Sequence, residues 1–497
     1  MKPVRVYLAN DTSSIAAGAE RLARAWSGRR DVEVVRTSSR GAFFLEPVVE
    51  RDSPAGRLAW CNATADDLPR IVDGAGGTPI HEIPFLRQQT RTTYANFGLT
   101  EPLSLDAYAS AGGFGGLGAA RSMAPHAIIE ELKISRLRGR GGAAFPVWKK
   151  WEVARTTPAD RKFVVANADE GDAGTYCDRM IMEGDPYRLL EGMLICARAV
   201  GAVRAYIYCR QEYPAAARTL EQAIRAAGDA GWLELDGARV EFTVIRGAGS
   251  YVCGEETALL ESLEGRRGVV RARPPHTAES GLYGKPTIVS NVLTFAMIPA
   301  ILARGGAWHA ALGTERSRGT TVLQVGGRVK QAGLVEVPFG LTLRQVLEQF
   351  GGGMASGARF KAVQVGGPLG SLFPESKLDI PICYDAFAKA GAILGHGGIV
   401  VYDQDTDMVD LARHFMAFTA DESCGKCTPC RVGSVRAREM LERIQSGRGD
   451  VRDLLLLSEL GETMKATSLC GLGQRAPYPV MTAIEHFGTE FTDALRT

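Results

Sequence analysis

The sequence predicts an α/β protein of several domains that ends in a helical region. Three observations support this class. The chain has 497 residues, more than one hydrophobic core usually supports, so we expect two to four domains. Short β-rich runs alternate with helical patterns through most of the chain, which indicates strands covered by helices. Beyond about residue 405 the apolar residues recur at helical spacing to the end.

Composition excludes several classes of protein. Hydrophobic residues make up 45% of the chain and charged residues 23%, which is typical of globular proteins and not of disordered or fibrous ones. The net charge of +2 gives no basic excess, so we expect no nucleic-acid partner. The longest apolar run, residues 288–303, contains Ser290, Asn291, Thr294 and Pro299, which favours a buried helix over membrane insertion. The first residues lack a signal-peptide pattern, so we expect a cytoplasmic protein.

The N-terminal region, residues 1–110, is predicted to form a small α/β domain. The strand-like runs VRVYLA, VEVVR and RLAWCN alternate with the helical patterns SIAAGAERLARAW and DDLPRIVDG. This size and order are thioredoxin-like. The glycine-rich segment AGGFGGLGAA, residues 111–120, follows no strong strand, so we interpret it as a linker between domains and not as a nucleotide-binding loop.

Three further domains are expected. In residues 111–315 the β-rich runs FVVANA, AYIYC and VEFTVI alternate with helical patterns, which predicts a mostly parallel sheet covered on both faces. Ligands of such folds bind beyond the carboxyl ends of the strands. Residues 316–402 combine three β-like segments with the helix TLRQVLEQF, as in a compact α+β module. Residues 403–497 are predicted to form a small helical bundle.

Four of the ten cysteines form the most specific motif. Cys424, Cys427 and Cys430 have the spacing CxxCxxC in ESCGKCTPCRVGS, and Cys470 follows in SLCGLG. A tight triplet of thiolates with a remote fourth ligand is typical of 4Fe-4S sites, whereas zinc sites more often pair two CxxC motifs. We therefore predict that these cysteines hold a 4Fe-4S cluster. The alternatives are a structural zinc site and unliganded core cysteines.

Two other segments have the composition of a cofactor site. RLRGRGGAAFPVWKKW places glycines beside arginines and lysines, which suits the close approach of an anionic cofactor, although a surface turn would have a similar composition. In NADEGDAGTYCDR the residues Asn167, Asp169, Glu170 and Asp172 follow a strand, and their polar groups could hold hydroxyl groups and the edge of a flavin. The alternatives there are a solvated acidic loop and a Mg²⁺ or Ca²⁺ site.

A third segment with this composition is GAGSYVCGEETALLESLEG. Here Gly254, Glu255 and Glu256 are predicted to begin a helix. The free N–H groups of a helix N-terminus attract negative charge, so this one could bind an anion.

Taken together, the motifs RGRGGAAFP, NADEGDAGTYCDR, YVCGEETALLESLEG, GKPTIVSNV and ESCGKCTPCRVG with SLCGLG resemble those of a flavoprotein family. This NADH-binding family includes the 51-kDa-type subunit of respiratory complex I, the diaphorase subunit of NAD-reducing hydrogenases and the beta subunit of NAD-dependent formate dehydrogenases. The resemblance covers residues from about 125 to 485. It implies a Rossmann-like FMN domain, a ubiquitin-like β-grasp module and a helical bundle that carries the 4Fe-4S cluster.

The resemblance also implies which residues line the FMN and NAD sites. Phe145 would stack on the adenine of the dinucleotide, and Glu256 would accept hydrogen bonds from its ribose. Three departures from the family pattern weaken the nucleotide assignment: Asp172 replaces the usual Glu, and His276 and Val153 each replace a Phe. The residues implied to line the flavin site are Gly139, Arg140, Gly141, Lys150, Asn167, Asp169, Glu170, Asp172, Tyr251, Gly254, Glu255, Glu256, Val289, Ser290 and Asn291.

The N-terminal domain narrows the choice within the family. It resembles a thioredoxin-like 2Fe-2S module, but residues 1–120 contain only Cys61, too few ligands for such a cluster. We therefore expect a docking or spacer domain. A fused thioredoxin-like domain without cluster ligands, together with the runs HEIPFLRQQTR and NADEGD, makes the chain most similar to the beta subunit of a cytoplasmic formate dehydrogenase. Its partners would then be a small 2Fe-2S thioredoxin-like subunit and a molybdenum-containing catalytic subunit.

The expected function is electron transfer between NAD(H), FMN and a 4Fe-4S cluster. A nicotinamide exchanges hydride, a cluster exchanges single electrons, and flavin converts between them, so no side chain is expected to act as a nucleophile or general base. His276 and His396 are expected to be structural or solvent-facing. The alternative functions are the diaphorase subunit of an NAD-reducing hydrogenase and, in a different class, a non-catalytic scaffold stabilised by zinc. The choice of NAD or NADP stays open at this point.

Overall fold

A computed structural model describes residues 3–54 and 56–495 of the chain. The first domain is a five-stranded sheet with helices against it, in the order β2-β1-β3-β4-β5. Strands β1 and β2 are parallel, and β3 and β4 follow as an antiparallel hairpin, which is the thioredoxin-like order that the sequence predicts. The elements are β1 Val4–Ala9, α1 Thr12–Ala17, α2 Ala19–Trp26, β2 Val32–Thr37, β3 Val49–Ser53, β4 Gly56–Trp60, α3 Leu68–Asp73, β5 Thr78–Pro79 and α4 Pro84–Arg87.

The N-terminal domain packs directly on the third domain. Ala42, Phe85 and neighbouring residues share one hydrophobic cluster with strands of residues 320–338. The buried carboxylate of Glu336 accepts hydrogen bonds from the backbone N–H groups of Thr93 and Tyr94, at 3.0 and 3.1 Å. The segment that leaves the N-terminal domain is therefore fixed against the rest of the molecule.

The second domain contains the parallel sheet that the sequence predicts. Its four strands lie in the order β10-β7-β6-β11, and every neighbouring pair is parallel. The chain order reverses between β6 and β11, and in doubly wound folds this is where ligands bind. The elements are α5 Leu105–Ser110, α6 Gly115–Ser122, α7 Pro125–Ser135, α8 Val147–Thr156, β6 Phe163–Ala168, α9 Cys177–Gly184, α10 Pro186–Val200, β7 Arg204–Cys209, α11 Pro214–Asp229, β8 Glu234–Leu235, β9 Ala238–Arg239, β10 Glu241–Arg246, α12 Glu256–Leu263, β11 Thr287–Asn291, α13 Val292–Arg304 and α14 Gly306–Ala310.

Two predictions for this domain were wrong. Residues 111–120 are no linker, because α6 packs in the core: the Glu191 carboxylate accepts hydrogen bonds from the N–H groups of Phe114 and Leu117, at 2.9 and 2.8 Å. The apolar run 288–303 is not one helix. It begins in strand β11, and Asn291 then caps α13 by accepting a hydrogen bond from Thr294 N.

The third domain is a β-grasp module. Its sheet has the order β13-β12-β16-β14-β15, in which β12 and β16 are parallel and the other neighbours are antiparallel. Helix α15 covers the sheet, as expected, and a second short helix, α16, was not predicted. The elements are β12 Thr320–Gly327, β13 Gly333–Pro338, α15 Leu343–Gln349, β14 Phe360–Val365, β15 Ser371–Phe373, α16 Tyr384–Lys389 and β16 Gly398–Asp403.

The fourth domain is the predicted helical bundle. Its apolar face packs within the bundle and against the β-grasp sheet through Ala362 and Leu372. The helices are α17 Met408–Glu422, α18 Thr428–Gln445, α19 Val451–Thr467, α20 Gly471–Arg475 and α21 Pro477–Ala494. Within residues 3–54 and 56–495, none of the helices has the length and apolar character needed to cross a membrane.

Candidate functional site

A cavity of about 860 Å³ opens beyond the carboxyl ends of β6 and β11. Asn167 and Asn291 are paired in register at these two strand ends, so the polar residues that follow both strands meet there. The volume is near the upper end for small-molecule sites, which suits a flavin together with a dinucleotide. Nearly all the residues predicted to bind cofactors line this one cavity: Gly139, Gly141, Phe145, Lys150, Asn167, Asp169, Glu170, Asp172, Tyr251, Gly254, Glu255, Glu256, Val289, Ser290 and Asn291.

Arg140 is the exception among the predicted cofactor residues. Its guanidinium is turned away from the cavity and donates to the carbonyls of Arg318 and Thr320, at 2.9 and 3.0 Å. It also lies 4.8 Å from the centre of the Phe339 ring. The side chain therefore links the second domain to the β-grasp module and does not line the cavity, whereas its neighbours Gly139 and Gly141 do.

One wall of the cavity carries a half-buried ion pair. Lys150 Nζ on α8 lies 2.7 Å from Glu256 Oε2 on α12, and Arg273 contributes a second contact of 3.2 Å to Glu256 Oε1. Burial alone would raise the pKa of Glu256, but Lys150 and Arg273 hold it below its ordinary value. Glu256 is thus a carboxylate that can accept hydrogen bonds from ligand hydroxyl groups.

The start of α12 does not offer the free N–H groups that the sequence suggests. Glu255 is the N-cap residue, and its own carboxylate accepts hydrogen bonds from Thr257 N and Ala258 N, at 2.9 and 3.0 Å. These donors are satisfied within the protein. Two of the N–H groups that the sequence suggested for an anion are therefore bonded to Glu255 instead.

The loop after β6 fits a ligand rich in hydrogen-bond donors. Asp169 Oδ2 is buried without a hydrogen-bond partner among the described residues. Burial raises the pKa of Asp169 to about 7. An unpaired buried carboxyl group is unfavourable, and a donor from a bound molecule would remove that penalty. Flavin ring N–H groups and ribityl hydroxyls are donors of this kind.

The mouth of the cavity exposes apolar surface. The side chains of Phe145 and Val153 are 49% and 38% exposed and line the same opening as His276. An exposed aromatic ring at a cavity mouth can stack on a planar ring. Val153 offers a smaller surface than a second aromatic residue would. A planar ring bound at this opening would therefore be stacked by Phe145 on one face only.

Four buried residues at the floor of the cavity form a cluster that the sequence did not single out as a group, and Glu170, Asp178 and His396 also line the cavity. We call Glu170, Cys177, Asp178 and His396 the buried His396 cluster. His396 Nε2 lies 3.0 Å from Asp178 Oδ2, 3.1 Å from Cys177 Sγ and 3.5 Å from Glu170 Oε1. His396 comes from the β-grasp module and the others from the second domain. Only the tertiary structure brings them together, so no sequence pattern could have revealed the cluster.

The four predicted cluster cysteines meet next to the cavity. Cys427 precedes α18, Cys430 lies in its first turn, and Cys470 immediately precedes α20. Burial raises the pKa of Cys470 to about 11, although the N–H groups of Leu472 and Gly473 point at its sulfur. Leu472 also lines the cavity. The cysteines and the cavity therefore share a wall.

The spacing of the four sulfurs favours a cluster over a single zinc ion. A tetrahedral zinc ion with Zn–S bonds of about 2.3 Å holds its sulfurs about 3.8 Å apart. In residues 3–54 and 56–495, the buried His396 cluster is the one group of His, Cys, Asp or Glu whose ligating atoms all lie within 4.8 Å of one another. No three sulfurs of Cys424, Cys427, Cys430 and Cys470 are that close together. A 4Fe-4S cubane binds each thiolate at a different iron, so its ligands need not lie within that distance of one another.

The cavity and the neighbouring cysteines define the class of protein as a redox subunit that binds a flavin and a nicotinamide nucleotide beside an iron–sulfur cluster. Three family models match the chain, described as the Nuo51 FMN-binding domain over residues 132–300, the SLBB domain over 322–372 and the NADH-ubiquinone oxidoreductase-F iron-sulfur binding region over 410–494. The chain belongs to the 51-kDa flavoprotein family of respiratory complex I. Its cofactors are FMN, NAD and a 4Fe-4S cluster.

Several relatives are similar over most of their length. The NADP-reducing hydrogenase subunit HndC of Solidesulfovibrio fructosivorans is 45% identical over 82% of this chain and 83% of its own. A subunit of the NADH-quinone oxidoreductase of Escherichia coli K12 is 40% identical over 80% of this chain and 91% of its own. A crystal structure of an NAD+-reducing [NiFe]-hydrogenase in the H2-reduced state matches 99% of this chain and 84% of its own, with a TM-score of 0.73 and 31% identity. Relatives of this kind are subunits of multisubunit complexes.

Proposed function

We propose that this chain is the diaphorase subunit of a multisubunit oxidoreductase, the subunit that exchanges electrons with NAD(H). One observation carries the proposal: residues next to Cys470 form a wall of the cavity that collects the predicted flavin and nucleotide residues. Cys430, Cys470, Val165 and Val289 also belong to one apolar cluster. The cysteines and the strands that end at the cavity are thus separated by packed side chains and not by solvent.

The chain's own residues would bind and orient the cofactors. FMN, when bound, exchanges hydride with a nicotinamide and single electrons with an iron–sulfur cluster. The glycine-rich loop at 139–142 would allow close approach of the flavin, and Asn167 and Asp169 would meet its polar edge. Phe145 and Glu256 would hold the adenosine part of the dinucleotide. The remaining lining residues of the predicted set would complete the flavin site, and no side chain is assigned a catalytic role.

The identity of the complex is the finer part of the proposal. An NAD(P)-reducing hydrogenase has the stronger support, because one relative of this name is 45% identical and a hydrogenase structure covers 99% of the chain. That coverage includes the N-terminal domain, so the fused domain does not distinguish a hydrogenase from a formate dehydrogenase. The motifs HEIPFLRQQTR and NADEGD keep the formate dehydrogenase beta subunit as the second candidate.

The partners differ between the two candidates. A hydrogenase would supply a nickel–iron subunit, and a formate dehydrogenase would supply a molybdenum-containing subunit. In either complex the N-terminal domain would be a docking element. In its described part it holds only the half-buried Cys61, so the cluster of a 2Fe-2S thioredoxin-like module would have to come from a separate small subunit.

The experiment is purification of the tagged full chain with its partners from its own cells, in the cytoplasmic fraction where we expect it. Metal analysis and NAD+ reduction with hydrogen or formate as the electron donor are then measured on the same sample. Nickel with hydrogen-dependent NADH formation supports the first candidate, and molybdenum with formate-dependent NADH formation supports the second. A colourless preparation that lacks flavin and contains zinc would leave the scaffold interpretation and overturn the proposal.

A further inference from the structure

His396 is a buried imidazole whose two nitrogens both face hydrogen-bond acceptors. Nδ1 lies 2.8 Å from the carbonyl oxygen of Arg140, which can only accept, so Nδ1 carries a proton. Nε2 lies 3.0 Å from Asp178 Oδ2. The side chain is only 8% exposed. The charge of the ring therefore depends on whether Asp178 is ionised.

Both oxygens of Asp178 accept hydrogen bonds, as those of an ionised carboxylate do. Its Oδ1 accepts from Leu293 N at 3.0 Å, and its Oδ2 accepts from Asn291 Nδ2 at 2.5 Å as well as facing His396. The acceptor that could take a proton from this carboxyl group is His396 Nε2, but a proton on Oδ2 would leave a hydroxyl oxygen, a poorer acceptor, for the 2.5 Å contact from Asn291 Nδ2. Glu170 also accepts on both of its oxygens, from the N–H groups of Asp178 and Arg179 at 3.0 Å and from the Tyr213 hydroxyl at 3.2 Å. Two buried carboxylates thus surround one imidazole.

We propose that His396 is a positioning residue that stays protonated and keeps Asp178 and Glu170 ionised at the floor of the cofactor cavity. It thereby fixes the net charge of the cluster beside bound FMN. The chain of contacts runs from Arg140 O through His396 and Asp178 to Asn291, which lines the cavity. Because Asp178 accepts from Nδ2, the amide of Asn291 has one fixed orientation, with Oδ1 toward Thr294 N. The inference rests on the proposed flavin site and assigns a role to His396, which lies outside the motifs that identified the family.

A proton fits this position better than a metal ion. Ligand atoms held at about 2.0–2.1 Å from a tetrahedral ion lie about 3.3 Å apart, and the contacts of His396 with Asp178 and Cys177 are at 3.0 and 3.1 Å. These are direct hydrogen-bond distances. Burial raises the pKa of the Cys177 thiol well above its ordinary value, so the thiol is neutral and adds no negative charge to the cluster.

The other charged groups near the cluster are Asp172, Arg475 and Arg140. Asp172 follows β6 and accepts a hydrogen bond from Tyr251 at 2.7 Å, and Arg475 on α20 offsets its charge. Arg140 contributes its carbonyl, while its guanidinium points away. Burial would lower the pKa of His396, but its contacts with the cluster, the Asp178 carboxylate among them, raise it well above its ordinary value. The cluster of two carboxylates and one imidazolium has one net negative charge.

The main experiment measures the FMN midpoint potential of the full chain as a function of pH, by flavin absorbance. In His396→Gln, one of the two carboxylates is protonated at low pH and both are ionised at high pH. The potential of the variant should therefore fall further below that of the wild-type protein as the pH rises. In the double variant His396→Gln/Asp178→Asn this pH-dependent difference should disappear. His414→Gln, an exposed residue on α17, is the matched control.

A second measurement needs no variant. In full chain labelled with ¹⁵N-histidine, one imidazole should stay doubly protonated at about pH 9, where an ordinary histidine, with a pKa of about 6.5, is neutral. Neutral signals from all seven histidines, a pH-independent difference for His396→Gln, or a stoichiometric divalent metal lost in that variant would each overturn the inference. FMN binding with such results would leave the proposed function intact, whereas a full chain that binds no FMN would overturn both.

Discussion

The ammonium group of Lys150 lies 2.7 Å from Glu256 Oε2 and 3.1 Å from the carbonyl oxygen of Val289. One side chain on α8 therefore joins α12 and the end of β11 across the wall of the cavity. The pair is half-buried. Removing one partner leaves the other charge partly desolvated and without compensation, and this loss is larger than the net contribution of the pair. Arg273 supplies part of the compensation at Glu256.

Replacing Lys150 with Met is expected to lower the free energy of unfolding by about 1–3 kcal/mol, less than the full loss for a buried pair because Arg273 remains. The sign of the pH dependence of the unfolding free energy follows from the depressed pKa of Glu256. A carboxyl group whose pKa is depressed by folding stabilises the fold above its unfolded pKa, and this contribution is lost as the pH falls. Without Lys150 the pKa of Glu256 rises, so the loss begins at higher pH. Thermal unfolding between about pH 4 and 7 measures both effects.

Lys149→Met is the matched control for this prediction. Lys149 is on the same helix and has the same charge, but its side chain is exposed. The control should change the unfolding free energy by well under ~1 kcal/mol. Equal destabilisation by the two variants would show that the ion pair with Glu256 has no special contribution.

Asp169 is expected to make the FMN-free protein less stable as the pH rises. Folding raises its pKa to about 7, so the folded chain holds a proton that the unfolded chain has already released. Between about pH 5 and 7 this lowers the unfolding free energy by roughly 1 kcal/mol per pH unit. Asp169→Asn should remove this fall of the unfolding free energy with rising pH, and added FMN should reduce it in the wild-type protein. Asp405→Asn, on an exposed loop, should leave the slope unchanged, and a slope that survives in Asp169→Asn would contradict the assignment.

The parts of the site that follow strand ends could be predicted from the sequence. Asn167 and Asn291 are far apart in the chain, yet both end β-rich runs, and parallel strands bring their carboxyl ends to one edge. The cysteine motif was informative for a similar reason, because its spacing is itself a geometric constraint on α18. The positions of these strand-end residues and cysteines follow from strand pairing and helix geometry, without contacts between distant side chains.

The parts that depend on tertiary contacts could not be predicted. Phe114 adopts a left-handed conformation with φ of 61°, and the carboxylate of Glu191, on another helix, satisfies the start of α6, so a glycine-rich run became a core helix. Arg140 belongs to the glycine-rich loop but points into the interface with the β-grasp module. His396 was expected only to be structural or solvent-facing, and its contacts with Asp178 and Glu170 could not be predicted because those residues lie in another domain.

Gly473→Ala is expected to disturb the iron–sulfur site without removing a ligand. A Cβ atom at this position would lie 2.7 Å from the Cβ of Ser468 and 2.8 Å from the Cβ of Cys430, so these residues or α20 would have to move. We expect a lower iron content per chain and an altered cluster EPR spectrum, with FMN content unchanged. Gly488→Ala is the control, because a Cβ there meets no atom within 4 Å. Unchanged iron content in Gly473→Ala would mean that the packing around Cys430 is looser than the structure indicates.

Replacing Cys427 with Ser separates the two halves of the electron path. Cys427 precedes α18 and lies outside the cavity, so FMN should still be reduced by NADH at a rate within about twofold of the wild-type rate. Serine is a poor ligand for a 4Fe-4S cluster, so the cluster EPR signal and electron transfer to the partner subunit should be lost. Cys61→Ser, in the N-terminal domain, should retain both the reduction of FMN by NADH and electron transfer to the partner subunit. Stopped-flow reduction of the flavin and reduction of the partner's cluster are measured on the same samples. Full electron transfer to the partner in Cys427→Ser would contradict its assignment as a cluster ligand, and loss of flavin reduction would place Cys427 in the flavin site instead.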